Sequence, residues 1–213
     1  MKTTEKSSVK RSPKRGVYDE EAIHSILDSQ YLCHVAIVHQ GQPVVIPTMY
    51  GRSGNSLFLH GASVSRLMTQ LEKGEPMSLS VANVSGIVLA RSAFHHSLNY
   101  ESVVVFGTGK LVENERKEWA LKVISDHLIP GRWEEVREPS AKELKATSVI
   151  EIAIDEASAK VRTGPPVDDK PDYDLDIWAG VLPVKQGYDD PISDPVVSKD
   201  TPVSSSVIEL KKK

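Results

Sequence analysis

The sequence predicts a mainly β protein with flanking helices, its strands antiparallel in a meander or barrel. Three observations carry that prediction. Short runs of strand-forming residues recur about every ten residues, with turn residues between them. No alternating βαβα pattern is present, which argues against a doubly wound fold. At 213 residues and 23.4 kDa, the chain suits one domain with tails and is long enough to bury a core.

Residues 1–15 hold six Lys or Arg and, besides Met1 and Val9, no large hydrophobe, so they read as a disordered basic tail. The barrel domain is expected over residues 16–163. Asp19 caps its first helix, with Glu20 and Glu21 in the first turn and Ala22, Ile23, Ile26 and Leu27 on one face. That helix is expected to close one end of the sheet. Tyr31 to Val38 forms the first strand, and Gln40-Gly41-Gln42 turns the chain back.

The stretch from Pro43 to Gly74 organises the rest. Val44, Val45, Ile46, Met49 and Tyr50 form a strand, Arg52-Ser53-Gly54-Asn55 supplies the turn, and Leu57, Phe58 and Leu59 resume extended structure. After His60-Gly61-Ala62 the period changes. Val64, Leu67, Met68 and Leu71 fall on the stripe of an amphipathic helix, with Ser63 as N-cap and Gly74 as stop. Arg66 then lies in the first turn, where the macrodipole already concentrates positive charge. A cation there costs up to about 1 kcal/mol unless an anion joins it. Two readings stay open: Arg66 points into solvent, or it meets a phosphate together with free amides and the hydroxyls of Ser63 and Ser65.

Further strands are expected at Met77–Val81, Ile87–Ala90 and Ser102–Phe106, the last continuing toward Leu111 and Val112. Val103 to Phe106 does not alternate, which predicts a strand covered on both faces. Asn114 begins a long helix with Ala120, Val123, Ile124 and Leu128 inward, Trp119 as a core or interface anchor, and Pro130-Gly131 as the stop. Strands at Val149–Ile154 and Ala159–Arg162 complete the sheet. Beyond Gly164, seven of the thirteen prolines make the chain irregular. Within residues 164–184 the apolar island Ile177 to Leu182 is expected to dock on the barrel or a partner subunit. Residues 185–213, ending in Lys211-Lys212-Lys213, read as a flexible tail.

Composition narrows the function. A net charge of −3 gives no basic field, so nucleic acid is not expected as the main partner. No apolar run approaches a membrane span, and the polar N-terminus is no secretory signal. The lone Cys33 fits a reducing cytoplasm and reads as a packed small residue. Neither a G-x-S-x-G elbow nor a phosphate-binding G-x-x-x-x-G-K-[ST] loop is present, and Gly107-Thr108-Gly109-Lys110 opens no helix. Adjacent His95 and His96 on a strand point to opposite faces, with no third ligand at suitable spacing, so no metal site is expected. The dense polar stretch of residues 90–107, with Arg91, Ser92, Asn99, Tyr100 and Ser102, lines a cleft or interface or is a solvated connection.

Four motifs in order, VVIPTMYG, LFLHGASVSRLM, SLNYESVVVFG, and SAKVRTGPP with WAGVLPV, resemble the pyridoxamine 5′-phosphate oxidase-like FMN-binding split barrels. The branch with nitroimidazole-resistance proteins is the most similar, and the likeness covers about residues 15–184. The resemblance implies a six-stranded antiparallel split β-barrel, a homodimer, and one FMN in each of two interface clefts. By that likeness Pro47, Thr48, Met49 and Tyr50 edge the isoalloxazine, while Ser65 and Arg66 hold the phosphate, the site where the helix-start reading also places Ser63 and where Arg52 or Arg91 could help. Asn99, Tyr100 and Ser102 contact flavin from the other subunit, and Trp178 covers the cleft. His60 matches a histidine beside the substrate pocket and is the candidate acid or base. Two departures stand out. The basic third-strand motif R-x-x-L-L-K and the Arg-Leu-x-Pro ending of the true oxidases are both missing, which weakens pyridoxamine phosphate as substrate.

The sequence therefore predicts a cytoplasmic FMN-dependent oxidoreductase acting on a small molecule. The alternatives are a vitamin B6 oxidase, a non-catalytic flavin- or haem-binding module, and an interaction protein whose cleft holds its own tail.

Overall fold

A computed structural model describes residues 3–198 and 200–212. Met1, Lys2, Lys199 and Lys213, which the sequence assigns to the two tails, lie outside the described residues. Along the chain run β1 (Gly16–Val17), α1 (Glu20–Asp28), β2 (Leu32–His39), β3 (Gln42–Met49), β4 (Gly51–Ser53), β5 (Ser56–Ala62), α2 (Arg66–Leu71) and β6 (Pro76–Leu89). There follow β7 (Ser97–Thr108), β8 (Lys110–Leu111), α3 (Asn114–Leu128), α4 (Ala141–Ala146), β9 (Thr147–Ala153), β10 (Glu156–Arg162), β11 (Gly180–Pro183) and α5 (Ser205–Lys211). The protein is mainly β with five helices among the described residues, and the strand registers below are antiparallel. None of these helices is long and apolar enough to cross a membrane.

The chain divides into two compact units. The first comprises Met1–His34, Ser78–Phe106 and Ile154–Lys185; the second comprises Val35–Met77, Gly107–Ala153 and Gln186–Lys213. Each collects segments distant in sequence, so no single linker marks a boundary.

In the first unit the strand order is β1-β10-β7-β6, with β11 added to β6. Asp19 caps α1 as expected, its carboxylate accepting from the Ala22 amide at 2.9 Å. The helix buries Ile23, Ile26 and Leu27. Each such side chain contributes about 1.5–3 kcal/mol of burial as an upper estimate. Cys33 is fully buried, and burial pushes its thiol up to about 12, which leaves it an unreactive packing residue. The expected pair of runs at 77–81 and 87–90 is one 14-residue strand. On β7, Val103 and Val105 are fully buried while Val104 and Phe106 are only half-buried, so the run alternates after all. Hydrophobicity alone did not reveal which face was the deeper one. The apolar island docks as β11, whose Val181 lies opposite Val88. The N-terminal segment is tied to the same unit. Thr4 Oγ1 donates to Glu156, Lys6 Nζ lies 3.9 Å from that carboxylate, and the Val9 amide donates to Tyr18 at 2.8 Å.

In the second unit the order is β4-β5-β9-β8, and β3 follows β2 through a turn with Gln40 at φ 52° and Gly41 at φ 73°. Left-handed angles at both turn residues suit the right-handed twist of a tight hairpin. The core joins Phe58, Val112, Ala120, Ile124 and Val149. Trp119 is a core-edge residue, its ring edge-on to Phe58 at 5.3 Å and still 43% exposed. At Gly51 a Cβ would meet the Ile124 Cα at 2.7 Å, so glycine lets β4 lie directly against α3. Helix α2 starts later than the spacing suggested. Ser65, not Ser63, is its N-cap, accepting from the Met68 amide at 3.3 Å. Val64 therefore falls outside the helix and is 87% exposed. Residues 185–213 contain α5, where Ser206 is buried and its hydroxyl donates to Glu135 at 2.5 Å.

Candidate functional site

Unit 2 carries an apolar cavity of about 490 Å³ bounded by β3, β5, α3 and the segment leading into α4. Leu121, Ile124 and Leu128 project from α3, spaced so that one helical face lines the wall. Met49 and His60 come from the strands, and Trp133 from a 3₁₀ turn. His60 faces Val149 across the β5–β9 ladder. Its Nδ1 is buried and has no hydrogen-bond partner, and desolvation lowers its pKa from the ordinary 6.5. The neutral imidazole is thus favoured near pH 7, and its ring lines the cavity.

At the cavity margin Arg137 meets Glu143 in a two-pronged pair, with nitrogen–oxygen distances of 2.6 and 2.9 Å. The guanidinium, followed by the amide and hydroxyl of Ser140, holds the Glu143 carboxyl far below the usual range. Ser140 and Glu143 also form the capping box of α4, so one acid fixes both the helix start and the arginine.

The other residues assigned in this unit fall as follows. Pro47 and Met49 are exposed and Thr48 half-buried on β3. The Tyr50 ring is fully buried, 4.7 Å from that of His127. Met49 and Tyr50, as neighbours on a strand, point to opposite faces. Ser63 donates its amide to Ala146 at 3.0 Å. Arg66 is exposed at the first position of α2 and pairs with no carboxylate among the described residues. Arg52 donates to the Gly54 carbonyl at 2.6 Å.

Unit 1 carries the rest, and several of its polar ends are already engaged. Asn99 is buried, donating to the Gly164 carbonyl at 3.1 Å and accepting from Arg162. Arg91 sits 3.1 Å from Asp168 and 5.0 Å above the Tyr173 ring. Burial pushes the Asp168 carboxyl up, but hydrogen bonds from the Arg91 side chain and the Ser92 and Arg91 amides outweigh it and hold it below 3.8. Asn99 and Arg91 thereby act as internal braces of this unit. Ser102 donates to the Lys160 carbonyl at 3.4 Å, and Tyr100 lies opposite Arg162 in the β7–β10 register. Trp178 is 69% exposed and its ring lies against Gly180.

Sequence reasoning missed Arg162 and Lys160, although Ala-Lys-Val-Arg on a strand puts both cations on one face. It also missed that His95, Asp169 and Asp172 come together, their ligand atoms within 4.8 Å of one another.

Residues 19–161 match the family described as pyridoxamine 5′-phosphate oxidase. Among solved structures, the chain is similar to the flavocytochrome Anf3 from Azotobacter vinelandii, with 39% identity over 97% of each chain and a TM-score of 0.92. It is also similar to the FAD and haem binding protein from Mycobacterium smegmatis, at 36% identity over 92% of this chain and 97% of that one, TM-score 0.90. A candidate 5-nitroimidazole antibiotic resistance protein from Bacteroides thetaiotaomicron shares the fold, at 23% identity over 68% of this chain and 86% of that one, TM-score 0.58. No curated protein matches the chain.

Proposed function

The chain belongs to the pyridoxamine 5′-phosphate oxidase family, and from that membership we propose a redox protein that binds a flavin and a haem and passes electrons between a small-molecule donor and an acceptor. The observation that carries this is similarity over nearly the whole chain, at 39% and 36% identity, to two proteins described as holding both groups. Bound flavin would supply the exchange between two-electron and one-electron steps, and haem the one-electron carrier.

The residues of unit 2 fit a haem. An apolar cavity of about 490 Å³ lies within the roughly 300–1,000 Å³ of cofactor sites. His60 offers it a neutral imidazole, the usual protein ligand to haem iron. The buried Nδ1 without a partner is a cost to the folded chain. Leu121, Ile124 and Leu128 exclude water, and the Arg137–Glu143 pair leaves the margin polar but charge-balanced.

For the flavin, the resemblance assigns Pro47, Thr48, Met49, Tyr50, Ser65 and Arg66, with Asn99, Tyr100 and Ser102 from a second copy in a homodimer and Trp178 over the cleft. The dinucleotide FAD is the leading form in view of the mycobacterial protein. FMN is the second reading, favoured by the exposed, unpaired Arg66 next to the N-cap Ser65. Vitamin B6 oxidation is not adopted, because residues 46–50 lack the basic strand motif.

The test is the absorption spectrum of the full chain reconstituted with FAD and haemin. Flavin bands and a Soret band are expected, with the Soret band lost and the flavin bands kept in His60→Ala. Wild-type protein that takes up neither group would falsify the proposal, and an unaltered Soret band in the variant would remove His60 from it. Light scattering on the loaded protein tests the dimer.

A further inference from the structure

A second cavity, of about 600 Å³, lies wholly within unit 1 and takes no part in the haem reading. Its character is opposite to that of the His60 cavity. Arg11, Arg15, Lys160 and Arg162 all line it. Lys160 and Arg162 alternate onto one face of β10, and the pairing of Gly16 with Lys160 brings Arg15, the last residue of the preceding 3₁₀ turn, close to them. The anchoring of the N-terminal segment through Thr4, Lys6 and Val9 leads Arg11 to the same place.

The charge there is uncompensated. Arg162 is only 8% exposed, and its acceptors are neutral: Asn99 Oδ1 and the carbonyls of Gly164 and Pro165. Burial, with repulsion from Arg15, lowers its pKa. The two acids of the cleft are already in use. Asp168 is held by Arg91 and two backbone amides, while Asp169, 80% exposed, lies 3.4 Å from His95. None of the four cations has a carboxylate partner across the cleft among the described residues. A buried guanidinium without a counter-charge is unfavourable unless an anion arrives.

The rest of the lining says what the anion is attached to. The cleft is too large for an inorganic ion alone and falls in the roughly 300–1,000 Å³ range of organic ligands. Phe94 is 90% exposed, its ring edge-on to His95 at 5.3 Å, and Val167 is 71% exposed. An exposed aromatic beside a cationic groove is a stacking surface for a planar base.

We infer that this cleft binds a nucleoside diphosphate, with Arg162, Lys160 and Arg15 on the phosphates and Phe94 against the base. Two sources share that chemistry: the ADP half of the chain's own FAD, and the ADP half of a nicotinamide dinucleotide that donates electrons.

Isothermal titration of the full chain with ADP, before and after loading with FAD, tests the inference. Apo-protein is expected to bind ADP, and the double variant Arg15→Glu/Lys160→Glu to weaken it about 10- to 100-fold, with melting temperature in the absence of ligand as the control for folding. Arg162→Ala is the stronger variant but removes a buried brace, so the surface pair is the decisive one. ADP excluded by bound FAD assigns the cleft to the flavin's own diphosphate; ADP still bound assigns it to a separate donor. Apo-protein that ignores ADP, or a double variant that binds it as well as wild type, overturns the site. Pyrophosphate binding as tightly as ADP overturns the role given to Phe94. These readouts need neither haem nor flavin, so they stand apart from the test of the proposed function.

Discussion

The cavity around His60 in unit 2 and the cleft around Arg162 in unit 1 are built from opposite materials, and each leaves a different deficit, a missing hydrogen bond in the one and a missing counter-charge in the other. In unit 2 a neutral imidazole nitrogen lacks a partner among leucine, isoleucine and tryptophan side chains. In unit 1 a buried guanidinium lacks a counter-charge beside three more cations. Folding alone gives no reason for either deficit, because burial of polar groups is unfavourable until they are matched. The contrast indicates the kind of ligand each awaits. An apolar wall with a single nitrogen suits a large, mostly apolar group held by one bond. A cationic wall suits a small, highly charged one.

Arg66 and Arg162 extend the comparison. Both lack a carboxylate, but Arg66 is exposed and water satisfies it, whereas Arg162 is nearly sealed. The misplaced charge that the sequence pattern singles out is thus the weaker of two such signals.

If the two sites are independent, damage to one leaves the other intact, and each prediction probes that separation. The largest effect is expected from Phe58→Ala, whose ring is 1% exposed in the unit 2 core. It should destabilise the chain by about 3–5 kcal/mol in urea unfolding. Haem uptake should weaken while ADP binding to the folded fraction stays within about twofold. Gly51→Ala comes next. Its new Cβ would meet the Ile124 backbone at 2.7 Å, forcing β4 from α3 at about 1–3 kcal/mol. The wall formed by Leu121, Ile124 and Leu128 would shift with it, so a broadened Soret band should accompany the loss.

Ser140→Ala should cost about 0.5–2 kcal/mol through the lost cap of α4. Its spectral effect on haem should be smaller than that of Gly51→Ala, since only the cavity margin moves. The smallest effect is the pH dependence. His60 has a folded pKa below 6.5, because burial opposes its charged form. The unfolded chain therefore takes the proton first on acidification. Stability from a neutral His60 is complete above pH 6.5 and declines as pH falls through the lowered folded value. Apo-protein melting curves should show this decline, and His60→Gln should flatten it. A slope that survives in the variant would mean another group carries it.

Salt separates the sites without mutation. Raising ionic strength from 0.1 to 1 M shortens the screening length from about 10 to about 3 Å. ADP affinity in unit 1 should fall steeply, and haem retention in unit 2 should barely change.

Much of this was legible in the sequence. The helix cap at Asp19, the hairpin at residues 53–56 and the inward face of α3 all rest on interactions within a few residues, and they appear as the pattern demands. The errors share a cause. Ser63 and Ser65 are chemically equivalent caps, and only docking of Leu67, Met68 and Leu71 selected the second. That Tyr50 and not Met49 turns to the core was hidden for the same reason, because strand alternation fixes that neighbours diverge without saying which one faces inward.

The amino-acid order by itself determined a mainly β chain, its principal helices, the packing role of Cys33, and His60 as a residue to watch. Only the tertiary structure decided that His60 stands in an apolar cavity, that Asn99 and Arg91 are spent on internal partners, and that Arg11 and Arg15 of a basic tail meet Lys160 and Arg162. Local pattern records turns, caps and faces because those depend on near neighbours. The charge surrounding a buried group depends on segments some 150 residues apart, such as Thr4 and Glu156, and the chain reveals it only when folded.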